Sequence, residues 1–423
     1  MIHCLKNLKS IADKGESNDL PYIYAAIPVL DELELLPRLM KCIANQNYRR
    51  FTVYVCINQP DDWWTSPDKS EICSRNVRMI EDLGKFSGIN LVVLDHSSKG
   101  KGWKGKRHGV GWARKVLLDA ICKAASPDDI MINLDADTII PESYFLSVAE
   151  NFHRNPRAVA LANPYFHPAV TDEKAYRAIL RYEIYMRHYF LNLARIGNPY
   201  TFTALGSAIS CRVSAYHAVG GLTPKKSGED FYFLQKLRKY GDILLWNEEK
   251  VYPEARFSDR VFFGTGPAMI KGNAGDWSSY PIYPYPLFND LLETILLFPV
   301  FYIRTLDTKI TRFLSQQFNE EDPWQPLREN AGDMDHFIRA CHEKLDGLRI
   351  LQYLKTMHRI QPSSDEKNLG SFLERFYEPE EVKALSINLK EFSFRTAPLD
   401  ELERIRQFLA EKEDQCRLSS AQW

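Results

Sequence analysis

The chain has eight cysteines but no C-x-x-C pair and no Cys/His ladder, and it holds no N-x-[ST] sequon. These absences exclude a zinc ribbon, a thioredoxin-type redox pair and a disulfide scaffold, and a reducing cytoplasm fits them best. An export signal is also missing from the expectation, because Lys6, Lys9, Asp13 and Lys14 interrupt the start before an apolar core of signal length builds. The most apolar stretch, Leu287 to Arg304, carries Asp290 and Glu293 and leaves only Thr294 to Ile303 uncharged. That is about half of the ~20 residues a spanning helix needs. Charge of one sign is lacking too. Lys plus Arg (54) against Asp plus Glu (55) leaves −1, too little for a long-range field favouring nucleic acid or an anionic membrane, so any anion site must be local. The expectation is a cytoplasmic protein, free or at the inner face of the membrane.

What is present is ordinary for a folded protein: 423 residues, 45% hydrophobic, 26% charged and 12% aromatic, enough for two or three domains or one large α/β domain with an appendage. Tyr22 to Leu30, Phe51 to Ile57, Asn90 to Leu94 and Ile130 to Leu134 are apolar, β-rich runs of the kind parallel strands require. Glu34 to Asn45 and Trp112 to Ala125 read as the intervening helices, with Pro37 tolerated in a first turn. Val159 to Asn163 and Leu205 to Arg212 read as further strands. Glu173 to Leu193 and Asp230 to Tyr240 read as helices, the latter with Gly241 as C-cap. A Gly/Pro/Tyr cluster from Phe263 to Pro286 marks a boundary, and amphipathic helices such as Leu399 to Glu411 follow.

The sharpest local feature is Asn133-Leu134-Asp135-Ala136-Asp137-Thr138, two carboxylates one residue apart where an apolar strand ends. Ligands of open α/β sheets sit beyond the carboxyl ends of strands. Two hard oxygen donors there suit Mg²⁺ or Mn²⁺ shared with substrate phosphates, and a surface turn is the plain alternative. A second acidic pair, Glu229-Asp230, follows Gly228 and opens a helix, where Asp230 is kept ionised as a base or simply caps the helix. Ser98 to Arg114 carries Lys99, Lys101, Lys104, Lys106 and Arg107 among glycines that let a backbone approach an anion. It reads as a phosphate-binding or a solvated basic loop, and G-x-x-x-x-G-K-[ST] is absent. With no basic stripe or RNA-binding motif elsewhere, nucleic acid is not expected as a partner.

Taken in order, these features resemble a family 2 glycosyltransferase of the GT-A fold, from about Tyr22 to Gly266. IPVLDELELLPRLMKCIANQNYRRFTVYVCINQP is similar to that family's opening P-x-[YF]-N-E and Q-x-Y-x-x-[FY]-E pattern. GVGWARKVLLDAI resembles its G-x-x-A-R-N helix, NLDADTIIPESYF its D-x-D segment, and GSAISCRVSAYHAVGGLTPKKSGEDFYFLQKLRKYG its G-x-x-x-x-x-R... GGF... ED segment. The resemblance implies an α/β, mostly parallel Rossmann-like sheet flanked by helices with a helical C-terminal extension, divided as residues 1–20, 21–275 and 276–423. It implies inverting transfer of a sugar from a nucleotide-diphosphate sugar to an acceptor hydroxyl. Asp137 would ligate the metal, with Asp135 beside it near the ribose or sugar. Asp230 would be the base, supported by Glu229, which alternatively touches the acceptor. Pro28 and Glu32 would lie around the nucleobase, Lys106 and Arg114 near the diphosphate, and Arg256 and Arg260 would close over it.

Two departures accompany the likeness. Ile57-Asn58-Gln59 stands where the family usually has a base-reading aspartate, so Asn58 leaves the nucleotide open. No Q-x-x-R-W of the processive synthases occurs, so a distributive enzyme of glycan or glycoconjugate synthesis is expected, with a glycan or lipid-linked acceptor. The rivals are a non-catalytic nucleotide-sugar or glycan-binding protein of the same fold, and a nucleotidyltransferase, although the latter's G-x-G-T-R-type loop is replaced here by Ala26 to Asp31. Leu287, Phe288, Leu291, Leu292, Ile295, Phe298 and Phe301 form an apolar helical surface, expected as core in preference to a membrane contact.

Overall fold

A computed structural model of the chain describes residues 19–225, 228–258 and 264–420, so most of the expected N-terminal extension lies outside the described residues. Two compact units result: Met1–Ala175, Ala204–Ile270 and Arg417–Trp423 form one, and Tyr176–Thr203 with Lys271–Cys416 the other.

The first unit is α/β. Its strands are β1 (Ile23–Val29), β2 (Phe51–Asn58), β3 (Asn90–His96), β4 (Ile130–Asn133), β5 (Thr138–Ile139), β6 (Ala160–Ala162), β7 (Ile209–Arg212), β8 (Ile243–Leu244) and β9 (Tyr252–Pro253). Seven of them pair in the order β3-β2-β1-β4-β7-β6-β8, with only β7 antiparallel, while β5 and β9 form a separate pair. The helices used below are α1 (Leu36–Ala44), α2 (Ser70–Lys85), α3 (Val110–Ala124), α4 (Tyr144–Arg154), α5 (Glu173–Arg195, mostly in the second unit), α6 (Val213–Ala218) and α7 (Glu229–Tyr240). This mostly parallel, helix-flanked sheet with a helical C-terminal part is the expected α/β architecture.

The apolar runs explain the middle of the sheet. Every residue of β1 except Tyr24, and every residue of β2 except Thr52, is buried, as strands covered on both faces must be. Strand order reverses at β1: β2 and β3 lie to one side, β4 to the other. The crevice beyond the ends of β1 and β4 is therefore the switch point where ligands of such sheets bind. Pro28 fits this geometry. Ala26 O accepts from Leu134 N at 3.0 Å, so even-numbered β1 residues face β4, and the pairing stops at Ala26↔Asn133. Pro28 then faces the gap, where its missing N–H forfeits no ladder bond.

One reading needs correction and one helix is new. The strand expected over Leu205 to Arg212 begins only at Ile209, after a 3₁₀ turn at Gly206–Ala208. Gly241 is the C-cap of α7 as expected, its N–H donating to Leu237 O at 2.9 Å, with an extended φ of −172°. A Cβ there would lie 2.5 Å from Val159 Cγ1, so close packing requires glycine at this cap. Helix α2 escaped notice because it buries only the narrow stripe Cys73, Asn76, Met79 and Leu83, one member of which is polar.

The second unit is helical. Phe288, Leu291, Phe298 and Phe301 are fully buried in a core shared with Trp324, Tyr353 and Leu354, and the Phe298 and Trp324 rings lie 5.4 Å apart. The segment expected as core is core, although Leu296 and Ile303 beside it are exposed. Among the described residues no helix is long and apolar enough to cross a membrane. Phe298→Ala is expected to cost about 3–5 kcal/mol and lower a thermal transition by roughly 10 °C. Leu296→Asp, at an exposed position, should leave the same melt nearly unchanged.

Candidate active site

The site grows from the ends of β1 and β4. After β1 the chain turns sharply at Asp31, whose φ of 59° is left-handed. The strain is held by α2: Arg75 grips the Asp31 carboxylate through Nε at 2.5 Å and Nη2 at 2.8 Å, and the Asp31 N–H donates to Asn76 Oδ1 at 3.0 Å. The next residue, Glu32, is buried and faces Arg256. After β4 come Asp135 and Asp137, and β5 follows at once. Because β5 pairs with β9 and Glu254 N donates to Asp137 O at 3.1 Å, the segment bearing Arg256 is laid beside Asp137. Arg256 Nη1 donates to Glu32 Oε2 at 3.0 Å, and Nη2 bonds both Glu32 Oε1 and Asp137 Oδ2, the latter at 2.8 Å.

A second arginine works on the other side. Arg114, on α3, is 4% exposed; its Nη1 donates to Glu229 Oε1 and its Nη2 to Asp135 Oδ1. Glu229 is itself 3% exposed, at the first position of α7. One guanidinium therefore binds the two acidic motifs together. Gly206 makes room for it, since a Cβ there would lie 2.0 Å from Arg114 Nη2, which explains the turn that delays β7. Gly111, one turn earlier on α3, lets Lys225 O approach to 2.2 Å of where a Cβ would stand, seating the segment that leads to α7.

Two carboxyl groups here are displaced from their ordinary range. Burial and the neighbouring charges of Asp135 and Glu32 push Asp137 up to about 7 against the pull of Arg256. Burial and Glu229 push Asp230 up to about 7 against Arg114 and the Phe231 N–H, which donates to Asp230 Oδ1 at 2.7 Å. Both folded values exceed the ordinary 3.8. Each group therefore favours the fold when protonated, and that contribution is lost as pH rises from about 4 to about 7.

Other expected site residues fare differently. Pro28 is buried within β1 at the crevice, and Lys106 is exposed on a turn. Asn58 is buried with both amide ends engaged: Oδ1 accepts from Trp103 Nε1 at 3.1 Å and Nδ2 donates to Val29 O at 2.8 Å. Gln59 is likewise tied to Asn76 and Cys73. Two amides of the glycine-rich basic loop are taken up within the chain. Gly100 N and Gly102 N already donate to Asp61 Oδ1 at 2.7 and 3.3 Å. Arg260 lies outside the described residues. Sequence reasoning missed Asp31, Arg75, Asn76 and Gly206, which shape the site from three separate segments.

A cavity of about 210 Å³ opens beside Asp137, lined also by Leu35, Arg38, Pro168, Val170 and Glu254. Among the described residues no three His, Cys, Asp or Glu side chains are grouped to hold a metal alone. The donor set fits a hard cation that takes its remaining ligands from a substrate: two carboxylates one residue apart, with Asp137 crowded by Asp135 and Glu32.

Residues 130–267 match the family model described as Glycosyl transferase family group 2. No curated protein matches the chain. Among solved structures the chain is similar to S. aureus TarS 1-349 in complex with UDP-GlcNAc, at 14% identity over 93% of this chain and 92% of that one, with a TM-score of 0.42. The same TarS fragment alone gives 13% identity over 93% and 91%, with a TM-score of 0.39. Its complex with UDP gives 14% identity over 93% and 91%, with a TM-score of 0.37.

Arg114→Met leaves Glu229 buried without its partner and should destabilise the protein by about 3–5 kcal/mol. Adding Glu229→Gln should restore part of the loss, as a double-mutant cycle of thermal melts will read; full additivity of the two losses would refute the pairing.

Proposed function

We propose that this chain, a family 2 glycosyltransferase over residues 130–267, transfers one sugar at a time, with inversion, from a nucleoside-diphosphate sugar to an acceptor hydroxyl. Asp135 and Asp137 hold a divalent cation in this reading, and Asp230 is the base. The observation that carries it is the union of both acidic motifs at one strand-end crevice. Among the described residues, the carboxylates Glu32, Asp135, Asp137, Glu229 and Asp230 gather there around the guanidinium groups of Arg114 and Arg256. An anionic diphosphate enters such a site only with a cation to offset the charge. When bound, the cation would stabilise charge developing on the leaving diphosphate.

The chain's own residues supply the rest. Arg114 holds Glu229 at the start of α7 and leaves the adjacent Asp230, the less buried of the pair, to face an incoming hydroxyl. A carboxylate raised toward 7 is a stronger proton acceptor than an ordinary aspartate, which suits general-base work. Attack by that hydroxyl opposite the departing diphosphate inverts the anomeric centre. Neither the sugar nor the acceptor is fixed by these groups, and the acceptor class proposed is a glycan or a lipid-linked glycan.

The test is a screen of nucleotide sugars, UDP sugars first because TarS fragments were solved with UDP and UDP-GlcNAc, with Mn²⁺ or Mg²⁺, scored by release of nucleoside diphosphate. Asp137→Ala should abolish release in a protein that still folds cooperatively; full activity in EDTA would remove the cation from the reading. Thermal stabilisation by donor with no release under any condition would favour the binding protein. Asp230→Asn should lower kcat by roughly 10² to 10⁴ with donor affinity retained. Because the base works ionised, log kcat/KM for the unaltered enzyme should climb with pH up to about 7 and then level.

A further inference from the structure

Arg256 does more than pair with an acid in the loop after β1. Its guanidinium spans the switch point, forking onto both Glu32 oxygens with one edge while Nη2 also bonds Asp137 Oδ2 at 2.8 Å. That oxygen belongs to the carboxylate read above as the cation ligand. Asp137 is not sealed off: its side chain is 19% exposed and lines the 210 Å³ cavity, through which a hydrated ion can reach it. Three carboxylates, Glu32, Asp135 and Asp137, meet here, and Arg256 is the cation seated between Glu32 and Asp137.

We infer that Arg256 is a built-in counter-ion that a divalent cation displaces from Asp137. On exchange, Arg256 keeps its two bonds to Glu32 and gives up the one to Asp137, whose oxygen passes to the incoming ion. The bidentate fork to Glu32 makes this a pivot about a fixed anchor. A lone cation then competes with the arginine for one oxygen and binds weakly, whereas a cation arriving with a diphosphate brings added ligands and leaves the freed guanidinium edge an anion to meet. The site thus discriminates against cation without donor. This rests on reading Asp137 as a cation ligand.

Arg38 provides the internal control. It lines the same cavity and lies 4.0 Å from Glu254, largely exposed, so Arg38→Gln removes the same unit charge nearby without touching Asp137. Binding of Mn²⁺ alone, read from the free-ion electron paramagnetic resonance signal with no nucleotide present, should tighten roughly tenfold in Arg256→Gln. In Arg38→Gln it should change less than twofold. Equal tightening in both variants, or none in Arg256→Gln, would overturn the exchange. A second readout needs no variant: phenylglyoxal labelling of Arg256 in the unaltered protein, mapped by mass spectrometry, should speed up when saturating Mn²⁺ is added with no nucleotide present. Unchanged or slower labelling sinks the inference. If the unaltered protein binds no Mn²⁺ even with UDP present, the cation reading itself falls and the exchange with it; binding without tightening in Arg256→Gln removes the exchange alone.

Discussion

A single buried guanidinium sets the geometry of this site. Arg114 gives up water on entering the interior, and the desolvation of such an ion, several kcal/mol, is offset only if its hydrogen bonds are made to charged partners in good geometry. The partners are Asp135, beyond β4, and Glu229, at the start of α7, 115 residues away from the arginine in sequence. The segment with the D-x-D carboxylates and the segment with the E-D carboxylates are therefore held to one another by charge, not by backbone pairing. Much around the bridge follows from making room for it. Gly206 lets the guanidinium pass, β7 starts late, and Gly111 lets Lys225 close on α3.

The second arginine repeats the logic with a difference. Arg114 lies deep, with one carboxylate on each terminal nitrogen; Arg256 is more exposed, and its Nη2 is shared between Glu32 and Asp137. A deep bridge resists change because releasing it strands a buried charge, whereas a shallow one can trade partners with ions from solvent. The line Glu32, Arg256, Asp137, then Asp135, Arg114, Glu229 thus has a rigid half and an exchangeable half. Asp137 and Asp230, each largely buried and crowded by a neighbouring carboxylate, are the carboxyls whose proton affinity rises.

The frame was legible in sequence because it is written locally. Apolar runs of Tyr22 to Leu30 and Phe51 to Ile57 could only be strands buried on both faces, and acids directly after Ile130 to Leu134 had to fall at a strand end. What was not legible joins residues far apart. Arg256 and Glu32 stand 224 positions from each other, and no periodicity in either segment reports the other. Burial also hides in polar letters. Asn58 looks like a free reader of a base until Trp103 and Val29 are seen on its amide, and Gly100 with Gly102 looks like an anion cradle until Asp61 is found filling it. The glycines were read for freedom of backbone, whereas Gly206 and Gly241 are there for lack of a Cβ.

The same blindness explains the helical unit. The stripe Leu402, Ile405 and Leu409 on the helix Leu399–Ser420 is buried as its spacing dictates, but Arg406 and Glu413 are equally buried. Arg406 meets Glu183 at 3.3 Å, and Arg187 meets Glu413 at 2.8 Å, so charges from α5 interleave with charges from the last helix inside the core. An apolar stripe alone would let two helices slide by a turn with little change in buried area, since leucines are interchangeable partners. Paired ions are not, because a one-turn slip of about 5.4 Å leaves each of them buried opposite the wrong group. The acids and bases that a composition count assigns to a solvated face therefore fix the register of this helix pair, and they do so from inside it.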